Sequence, residues 1–388
     1  MKKIFEVSVV GGAGHIGLPL SCYISSFDHK VNIIDNNSDI VAKIQNKETP
    51  FQEDLLGEYL VNAIESGMNT SLQIKEIDKS DFVIVTLGTS PNQKDINLFH
   101  DVISNLSENI KNDAVLILRS TLSPNDLEKV KGNKNLKNKN TLISYCPERI
   151  AEGKSLVELP LMPQIIGTDS IEDYKIVENF FNSISISCIH LEISEAIFLK
   201  LFTNTYRYSQ FSAINEFFNI ANENGIDFDK VFSVATDTYP RLDNIPSRGF
   251  VGGPCLIKDS EAFLNSYNKK SSFINSLKTV NDQFMNNIIK ICNTKFLSKE
   301  VIFLGLTFKP NSDDLRTSLS FELYNFLINE GFKLYAVDRF VKEDHVDFKL
   351  YTYEEVKDFT NNIVISTNHD YFKDIDLTNS KVVRVGNK

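Results

Sequence analysis

The sequence predicts an α/β protein built from two parallel sheets that a long central helix connects. In the first half of the chain, short apolar segments alternate with helical segments, which is typical of a parallel sheet. One long helical run follows, and the alternation then resumes towards the carboxyl terminus. Because 388 residues exceed one typical domain, we expect three domains, at residues 1–193, 194–297 and 298–388.

Both sheets are predicted from short apolar segments bounded by turn-forming residues. The candidate strands of the N-terminal sheet are Glu6–Val10, Val31–Asp35, Asp81–Leu87, Val115–Arg119 and Thr141–Tyr145. The candidate elements of the smaller C-terminal domain are the strand Val301–Leu304, a helix near Phe321–Asn329, and the strands Lys333–Asp338 and Asn362–Ser366.

The central connector is predicted as one helix over Ser194–Asn224, which Gly225 closes as the residue after the helix end. A helix of about thirty residues spans roughly 45 Å, enough to connect two domains. Apolar Ile197, Leu201, Tyr208 and Phe211 recur at mixed three- and four-residue steps. This spacing indicates burial on more than one side of the helix.

Composition and charge exclude several classes of protein. The chain is 42% hydrophobic and 24% charged, as in ordinary soluble globular proteins, and its net charge of −10 argues against general binding to nucleic acid or anionic membranes. The sequence has no stretch of about 18 apolar residues, so we expect no membrane span. The five cysteines are an odd number without close pairs, so we expect neither disulfides nor a metal site, but a reducing cytoplasm.

A glycine-rich loop follows the first predicted strand and opens a helical segment. The loop is Gly12-Ala13-Gly14-His15-Ile16-Gly17, and Asp35 lies 18 residues after Gly17 at the end of the second strand. This arrangement is typical of a Rossmann-like dinucleotide site, with an acid for the ribose hydroxyls that repels a 2′-phosphate and so favours NAD over NADP. The expected cofactor ligands are Gly12, Gly14, His15, Ile16, Gly17 and Asp35.

Cys255 lies in the segment Gly252-Gly253-Pro254-Cys255-Leu256-Ile257-Lys258-Asp259. Two glycines permit close approach to a ligand, and Pro254 suits the first position of a helix. Cys255 would then occupy the first helical turn, where free N–H groups and the helix dipole favour a thiolate, with Asp259 one turn further on the same face. A lone cysteine is usually a packing residue, but beside a dinucleotide loop it indicates oxidation through a covalent thioester.

Six motifs in order resemble the UDP-glucose/GDP-mannose dehydrogenase family, the nucleotide-sugar 6-dehydrogenases, along essentially the whole chain. They are the Gly12–Gly17 loop, Ser120-Thr121, Cys146-Pro147-Glu148-Arg149-Ile150-Ala151-Glu152-Gly153, Lys200-Leu201-Phe202-Thr203-Asn204, the Cys255 segment, and Gly305-Leu306-Thr307-Phe308-Lys309-Pro310 with Asp313-Asp314-Leu315-Arg316. The resemblance implies an N-terminal NAD-binding domain, a central dimerisation domain, a C-terminal nucleotide-sugar-binding domain, and a homodimer.

The resemblance implies a four-electron oxidation of a sugar C6 hydroxyl to a carboxylate, with two NAD. Lys200 and Asn204 are four residues apart on the predicted helix, so they share a face and suit stabilisation of developing oxyanions. Cys255 would add to the intermediate aldehyde and give a thiohemiacetal and then a thioester. The sequence leaves open whether Glu148 or Asp259 activates the hydrolytic water.

The remaining roles follow from the resemblance. Thr121 ends a predicted strand at the carboxyl edge of the sheet, where it would bind the cofactor and position a water. Glu148 would line the sugar side, and the alternative is that it forms a salt bridge with Arg149 or another base. The alternative for Lys200 is that it is an ordinary surface lysine. The expected substrate ligands are Glu148, Arg149, Glu152, Lys200, Asn204, Arg248, Gly252, Lys309 and Arg316.

The sugar is the least determined part of the prediction. The stretches Pro147–Gly153 and Gly253–Leu256 are more similar to the UDP-N-acetylmannosamine dehydrogenase branch. UDP-glucose and UDP-N-acetylglucosamine are the alternative substrates, and the product would serve surface polysaccharide synthesis. Two further hypotheses are a two-electron dehydrogenase, which needs no nucleophilic cysteine, and a non-catalytic nucleotide-sugar sensor.

Overall fold

The computed structural model describes residues 3–89, 93–267 and 270–386. The chain divides into two compact units, of which the first extends to Phe202 and includes Asn265–Tyr267, and the second begins at Thr203. The division falls inside the long helix and not at its start. The three-domain boundaries stay a prediction.

The first unit contains an eight-stranded sheet with the order β3-β2-β1-β4-β5-β6-β7-β8. Its strands are β1 Glu6–Val10, β2 Lys30–Ile34, β3 Asn69–Ser71, β4 Phe82–Val85, β5 Val115–Leu118, β6 Leu142–Tyr145, β7 Gln164–Thr168 and β8 Cys188–Glu192. The five predicted strands are confirmed to within two residues at each end. Strands β4 and β5 are buried at every position, as expected for a sheet covered on both faces.

Three strands at the two ends of this sheet were not predicted, and one of them changes the sheet type. Strand β6 pairs with β7 in the antiparallel direction, through Tyr145 and Gly167, so the expectation of a wholly parallel sheet is wrong at this one position. A Cβ on Gly167 would lie 2.9 Å from the Cβ of Ala196, so packing requires glycine there. Strand β3 is short and polar, which explains why apolar patterning did not reveal it.

Helices surround the first sheet and lead into the second unit. Those of the first sheet are α1 Gly17–Ser25, α2 Ser38–Gln45, α3 Leu56–Glu65, α4 Gln93–Asn109, α5 Pro124–Lys131, α6 Lys134–Asn138, α7 Ser155–Glu158 and α8 Ile171–Ser183. The helices that follow are α9 Ile193–Glu223, α10 Phe228–Thr238, α11 Leu256–Ser266 and α12 Ser272–Lys295. The 31 residues of α9 confirm the predicted long helix.

The second unit ends in a four-stranded parallel sheet with the order β10-β9-β11-β12. Its elements are β9 Glu300–Leu304, α13 Leu319–Asn329, β10 Lys333–Val337, α14 Tyr353–Val356, β11 Asn362–Ile365 and β12 Lys381–Arg384. The predicted smaller C-terminal Rossmann-like domain is confirmed. Strand β12 was not predicted, because only one of its four residues is fully buried and the apolar signal is weak.

Candidate active site

The glycine loop between β1 and α1 leaves room for a ligand at one position. A Cβ on Gly12 would lie 2.5 Å from the Val9 carbonyl oxygen, and a Cβ on Gly17 would lie 2.6 Å from the Gly12 Cα, so internal packing requires both glycines. A Cβ on Gly14 would meet only the Gly11 carbonyl oxygen, at 3.6 Å. Gly14 therefore keeps open the side of the loop that a pyrophosphate would approach.

Asp35 is held at the end of β2 beside this loop. One carboxylate oxygen, Oδ2, accepts a hydrogen bond from the Ala13 N–H at 3.1 Å, and Oδ1 accepts from the Asn37 N–H at 3.1 Å. A carboxylate oxygen has two lone pairs, so each oxygen can still accept from a ribose hydroxyl. The loop and this acid together fit the dinucleotide cofactor predicted for them.

His15 connects the cofactor loop with a residue predicted for the sugar side. Its ring stacks on Phe51, with ring centroids 4.0 Å apart and planes at 15°. Its Nε2 lies 4.0 Å from a carboxylate oxygen of Glu152. The structure thus brings His15 and Glu152 together, with Phe51 as a partner that the sequence analysis missed.

Glu53 is a second residue of this region that the sequence analysis missed. Its buried carboxylate accepts hydrogen bonds from the backbone N–H groups of Gly153, at 2.8 Å, and Ser155, at 2.5 Å. The Asp54 N–H donates to the Gly153 carbonyl oxygen at 3.2 Å. These contacts fix the loop that carries Glu152, and they join residues about one hundred positions apart, beyond the reach of local sequence patterns.

Glu148 is paired with a buried arginine. Its Oε2 accepts a hydrogen bond from Arg119, and its Oε1 accepts from the backbone N–H groups of Arg149 and Ile150 at 2.8 and 2.9 Å. Burial alone would raise the pKa of the Glu148 carboxyl, but the Arg119 charge and these hydrogen bonds outweigh it and hold the pKa below its ordinary value. The salt bridge foreseen as an alternative is present, with Arg119 as the partner.

Three other predicted residues have defined positions in the first unit. Arg149 is half-buried and donates from Nη2 to the Pro163 carbonyl oxygen at 2.5 Å. The carbonyl oxygen of Thr121 accepts from the Thr89 hydroxyl at 2.6 Å, which fixes the turn after β5. Lys200 on α9 is only 7% exposed, so it is not the surface lysine considered as its alternative.

In the second unit, Asn204 and Asp259 form a direct pair. The Asn204 side-chain amide donates to Asp259 Oδ2 at 2.6 Å. Asp259 is completely buried, and the Lys258 Nζ lies 3.9 Å from its other oxygen. The amide and the carboxylate that the sequence assigned to the chemistry are therefore in contact.

Cys255 is the residue immediately before α11, where its carbonyl oxygen accepts the first helical hydrogen bond from the Asp259 N–H at 2.8 Å. The predicted helix start is therefore wrong by two residues, since the helix begins at Leu256 and not at Pro254, and Cys255 precedes the first turn. The thiol still lies at the helix N-terminus, where the dipole favours a thiolate, and the residue is exposed.

The other four cysteines are less exposed than Cys255, and burial makes their thiols weak acids. Burial raises the pKa of Cys22, Cys188 and Cys292 to about 12 and that of Cys146 to about 11. A protonated, buried thiol is a poor nucleophile. Among the five cysteines, Cys255 alone is exposed, and it is therefore the one suited to attack a substrate.

The glycines before Cys255 lie against the segment of the C-terminal motif. The Gly253 N–H donates to the Thr317 carbonyl oxygen at 3.2 Å, and Gly253 has a φ of +86°. A Cβ on Gly253 would lie 2.5 Å from the Phe308 ring, and one on Gly252 would lie 3.0 Å from the Thr317 carbonyl oxygen. The close packing explains both glycines and places the cysteine segment beside Phe308 of the C-terminal motif.

Within the C-terminal motif, Lys309 and Arg316 have local partners. The Lys309 Nζ lies 5.4 Å from the centre of the Phe308 ring. Arg316 is exposed and forms a two-pronged salt bridge with the buried Asp314, at 2.9 Å from Nε and 2.6 Å from Nη2. This bridge orients an exposed guanidinium, the group that suits a diphosphate.

Arg248 is buried, and its guanidinium binds groups from two distant parts of the chain. It forms a two-pronged salt bridge with Asp229, at 2.8 and 2.9 Å, and donates to the carbonyl oxygens of Arg384 and Val385 at 2.7 and 2.5 Å. Its guanidinium lies 4.3 Å from the centre of the Phe218 ring. The structure gives Arg248 a structural role, and its role as a substrate ligand stays a prediction.

The predicted site residues fall into one group in each unit. Those of the first unit are Thr121, Glu148, Arg149, Glu152 and Lys200, with the cofactor loop and Asp35. Those of the second are Asn204, Arg248, Gly252, Cys255, Asp259, Lys309 and Arg316. Over the described ranges, every helix is too short or too polar to span a bilayer.

Comparison with protein families matches three models of one family along the chain. The NAD-binding domain of the UDP-glucose/GDP-mannose dehydrogenase family matches residues 5–185, the central domain matches 194–283, and the UDP-binding domain matches 302–385. The chain belongs to this family. It is an NAD-dependent dehydrogenase that takes a UDP-sugar, as the motifs predicted.

Three similar proteins carry related names. UDP-N-acetyl-D-mannosamine dehydrogenase of Methanocaldococcus jannaschii is 28% identical over 97% of this chain and 89% of its own length. UDP-glucose 6-dehydrogenase of Rickettsia bellii is 25% identical over 84% of this chain and 79% of its own length. The structure of UDP-N-acetyl-mannosamine dehydrogenase from Staphylococcus aureus superimposes with a TM-score of 0.86 at 25% identity, over 98% of this chain and 94% of that one.

Proposed function

We propose that this protein oxidises the C6 hydroxyl of UDP-N-acetylmannosamine to the uronate, in two steps and through a covalent bond to Cys255. The observation that carries the proposal is the exposed thiol at the N-terminus of α11, one turn from the paired Asn204 and Asp259. The sugar is taken from the similarly named relatives of Methanocaldococcus jannaschii and Staphylococcus aureus.

The first step converts the alcohol to an aldehyde. NAD bound at the glycine loop accepts one hydride in each of the two oxidations. Lys200 supplies positive charge and the Asn204 amide supplies a hydrogen-bond donor to the oxygen that becomes an alkoxide. Because Lys200 is buried, its charge is screened less by solvent than that of a surface lysine.

The second step passes through Cys255. The thiolate adds to the aldehyde carbon, and the aldehyde oxygen takes a proton, which gives a thiohemiacetal. Loss of the C6 hydride to the second NAD and of the hydroxyl proton to a base leaves a thioester. Water then adds to the thioester, and cleavage of the carbon–sulfur bond releases the carboxylate and restores the thiol.

Asp259 is the acid we favour for activating the hydrolytic water. Glu148 lies against the buried Arg119 charge, which lowers its pKa and makes it a weaker base. Asp259 accepts from the Asn204 amide, has the Lys258 Nζ 3.9 Å from its other oxygen, is completely buried, and lies one helical turn after Cys255. We assign Glu148 to positioning on the sugar side, together with Arg149 and Glu152.

We also propose a homodimer formed through the central helices, in a cytoplasmic enzyme that supplies a uronic acid for surface polysaccharide. Helix α10 buries none of its residues, and its Val231 and Val234 are 52% and 56% exposed. On α9, Phe217 and Ile220 are also exposed. A row of exposed large apolar side chains on helices indicates a surface that another chain covers.

The substrate assignment is tested by following NADH formation with three UDP-sugars at equal concentration. UDP-N-acetylmannosamine is expected to react with the highest kcat/KM, above UDP-N-acetylglucosamine and UDP-glucose. A clear preference for UDP-glucose would instead assign the protein the substrate named for its Rickettsia bellii relative. Binding of all three sugars without NADH formation would indicate a sensor and overturn the catalytic proposal.

A further inference from the structure

The segment that leads to Cys255 has no regular secondary structure of its own. Residues 243–255, all of which the structure describes, form neither helix nor strand. An irregular segment lacks the internal hydrogen bonds of a helix or a sheet, so its backbone groups must pair with the elements around it. The position of the Cys255 thiol therefore depends on these contacts.

Two of these contacts hold the segment from elements other than α9. The Arg248 guanidinium binds Asp229 of α10 and two carbonyl oxygens at the end of β12. Further along, the Gly253 N–H donates to the Thr317 carbonyl oxygen at 3.2 Å. The backbone between these two points contacts α9.

Asn215 of α9 pairs with the backbone of this segment at Gly249. The Asn215 Nδ2 donates to the Gly249 carbonyl oxygen at 2.8 Å, and the Gly249 N–H donates to Asn215 Oδ1 at 3.0 Å. A side-chain amide has the same donor and acceptor as a peptide group, so the pair resembles two hydrogen-bonded residues of an antiparallel sheet. Asn215 is completely buried, so bulk water does not compete for its amide.

Asn204 holds the other side of Cys255 through a second amide. It donates to Asp259, four residues after Cys255, whereas Gly249 lies six residues before the cysteine. Asn204 and Asn215 are eleven residues apart, which is about three helical turns, so both side chains project from the same face of α9. One helix thus binds the chain on both sides of the thiol.

The same face of α9 is apolar between the two amides. Tyr208 belongs to one buried cluster with Val251 and Leu277, and Phe211 and Leu256 pack against that cluster. Apolar packing is not directional, whereas a hydrogen bond requires a defined distance and angle. The apolar contacts therefore hold the segment against α9, and the amides fix its position along the helix.

We propose that Asn215 is a positioning residue, which determines where the Cys255 thiol meets the C6 carbon of the sugar. This role rests on the covalent chemistry proposed for Cys255. Attack requires the reacting atoms at about 3–3.5 Å, and a misplacement of about 1 Å costs up to about 100-fold in rate. Without the Asn215 amide, Gly249 loses both backbone partners and the segment before Cys255 moves.

The test compares Asn215→Ala with Asn219→Ala, one helical turn further along α9. Asn219 is also a buried asparagine, but its Oδ1 accepts from Asn287 Nδ2 of α12 at 2.9 Å, so its partner lies outside the cysteine segment. With UDP-N-acetylmannosamine, Asn215→Ala is expected to lower kcat at least about tenfold and to leave KM for NAD within about threefold of wild type. Asn219→Ala should keep kcat within about twofold.

Hydrogen exchange on the full-length protein without substrate is the second measurement. The peptide that contains Gly249 is expected to exchange at least about tenfold faster in Asn215→Ala than in wild type, and at the wild-type rate in Asn219→Ala. Asn215→Leu removes the same two hydrogen bonds but fills the space that alanine leaves. Agreement between the two Asn215 variants therefore separates the loss of the amide from the effect of a cavity.

The positioning role and the proposed covalent chemistry fail in different ways. Wild-type kcat in both Asn215 variants, or an equal loss of kcat in Asn219→Ala, overturns the positioning role. Wild-type exchange of the Gly249 peptide in both Asn215 variants also overturns it. Exchange needs no turnover, so it tests Asn215 independently of the chemistry, whereas failure of the proposed function appears as wild-type uronate formation by Cys255→Ala.

Discussion

At the scale of single residues, two buried carboxylates of the candidate site have different partners. Glu148 is in direct contact with the Arg119 guanidinium, whereas Asp259 accepts from the amide of Asn204 and has the Lys258 Nζ 3.9 Å away. Arg119 also donates from Nη1 to Gln164 Oε1 at 2.7 Å, so the charge pair belongs to a buried polar network. This network holds Glu148 ionised and in place, which suits a positioning residue.

Removing the buried cation is expected to destabilise the fold strongly. Arg119→Met leaves the Glu148 carboxylate buried without its charge partner and should lower the free energy of unfolding by about 3 kcal/mol at pH 7. Urea denaturation of both proteins measures this difference. Lys30→Met, which breaks the exposed pair with Glu6, should cost less than about 1 kcal/mol and serves as the control.

The sign of the pH dependence follows from the lowered pKa of Glu148. A carboxyl whose pKa is lower in the folded state stabilises the protein above its unfolded pKa, and this contribution is lost as the pH falls through the folded value. The difference in free energy of unfolding between wild type and Arg119→Met should therefore be constant near pH 7 and shrink below about pH 4.5. A difference that grows on acidification would contradict the account of this pair.

Asn204 is expected to act on the rate and not on binding. Asn204→Ala removes the donor that stabilises the developing oxyanion and holds Asp259, so kcat should fall about 100-fold with little change in KM. Steady-state kinetics measure both constants. Asn224→Ala, in the exposed turn after α9, is the matched control and should leave kcat within about twofold of wild type.

At the scale of elements, the segment between α2 and α3 joins the cofactor loop to the sugar-side loop. Phe51 stacks on His15 of the first loop, and Glu53 accepts from Gly153 and Ser155 of the second. Three contacts therefore link two functional loops that are distant in sequence. Rigid support of this kind is needed because a small displacement of a binding residue weakens its contacts sharply.

Glu53→Gln is expected to loosen the sugar-side loop selectively. The amide keeps one acceptor oxygen but replaces the other with a donor, which repels one of the two backbone N–H groups. KM for the UDP-sugar should rise about tenfold, while KM for NAD changes less than about threefold. Initial-rate kinetics with each substrate varied in turn separate the two.

A loss of stability alone would not raise KM for the UDP-sugar more than KM for NAD. Ser170→Ala removes the side-chain cap of α8 in the same unit, at a cost of about 1 kcal/mol, and should leave both KM values unchanged. Glu53 would contribute only to general stability if Glu53→Gln raised both KM values equally. The same conclusion would follow if Ser170→Ala also raised KM for the UDP-sugar selectively.

At the scale of the whole molecule, the exposed apolar row on α9 and α10 is expected to hold the dimer. Val234→Asp places a charge in this row and should shift the protein towards monomer, which sedimentation velocity detects. Leu297→Asp is the control, because Leu297 is 91% exposed but lies outside both helices. Wild type that sediments as a monomer at micromolar concentration would contradict the proposed assembly.

The fold was largely predictable because its central strands are apolar and its glycine loop has a fixed spacing. The strands that were missed lie at sheet ends, where short or polar sequences such as Asn69–Ser71 leave little apolar pattern. The sequence indicates the candidate site where a motif carries it, as at Cys255 and Asp259, whose roles stay predictions. Phe51, Glu53 and Arg119 were not predictable, since their roles depend on contacts between positions distant in sequence.

The covalent role of Cys255 is tested most directly by counting NADH formed per UDP-N-acetylmannosamine consumed, for wild type and Cys255→Ala in parallel. The wild type should form two NADH per sugar and release the uronate. In Cys255→Ala, the second oxidation should stop, and uronate should therefore not form at the rate seen for wild type. Two NADH per sugar from Cys255→Ala at the wild-type rate would contradict covalent catalysis by this residue.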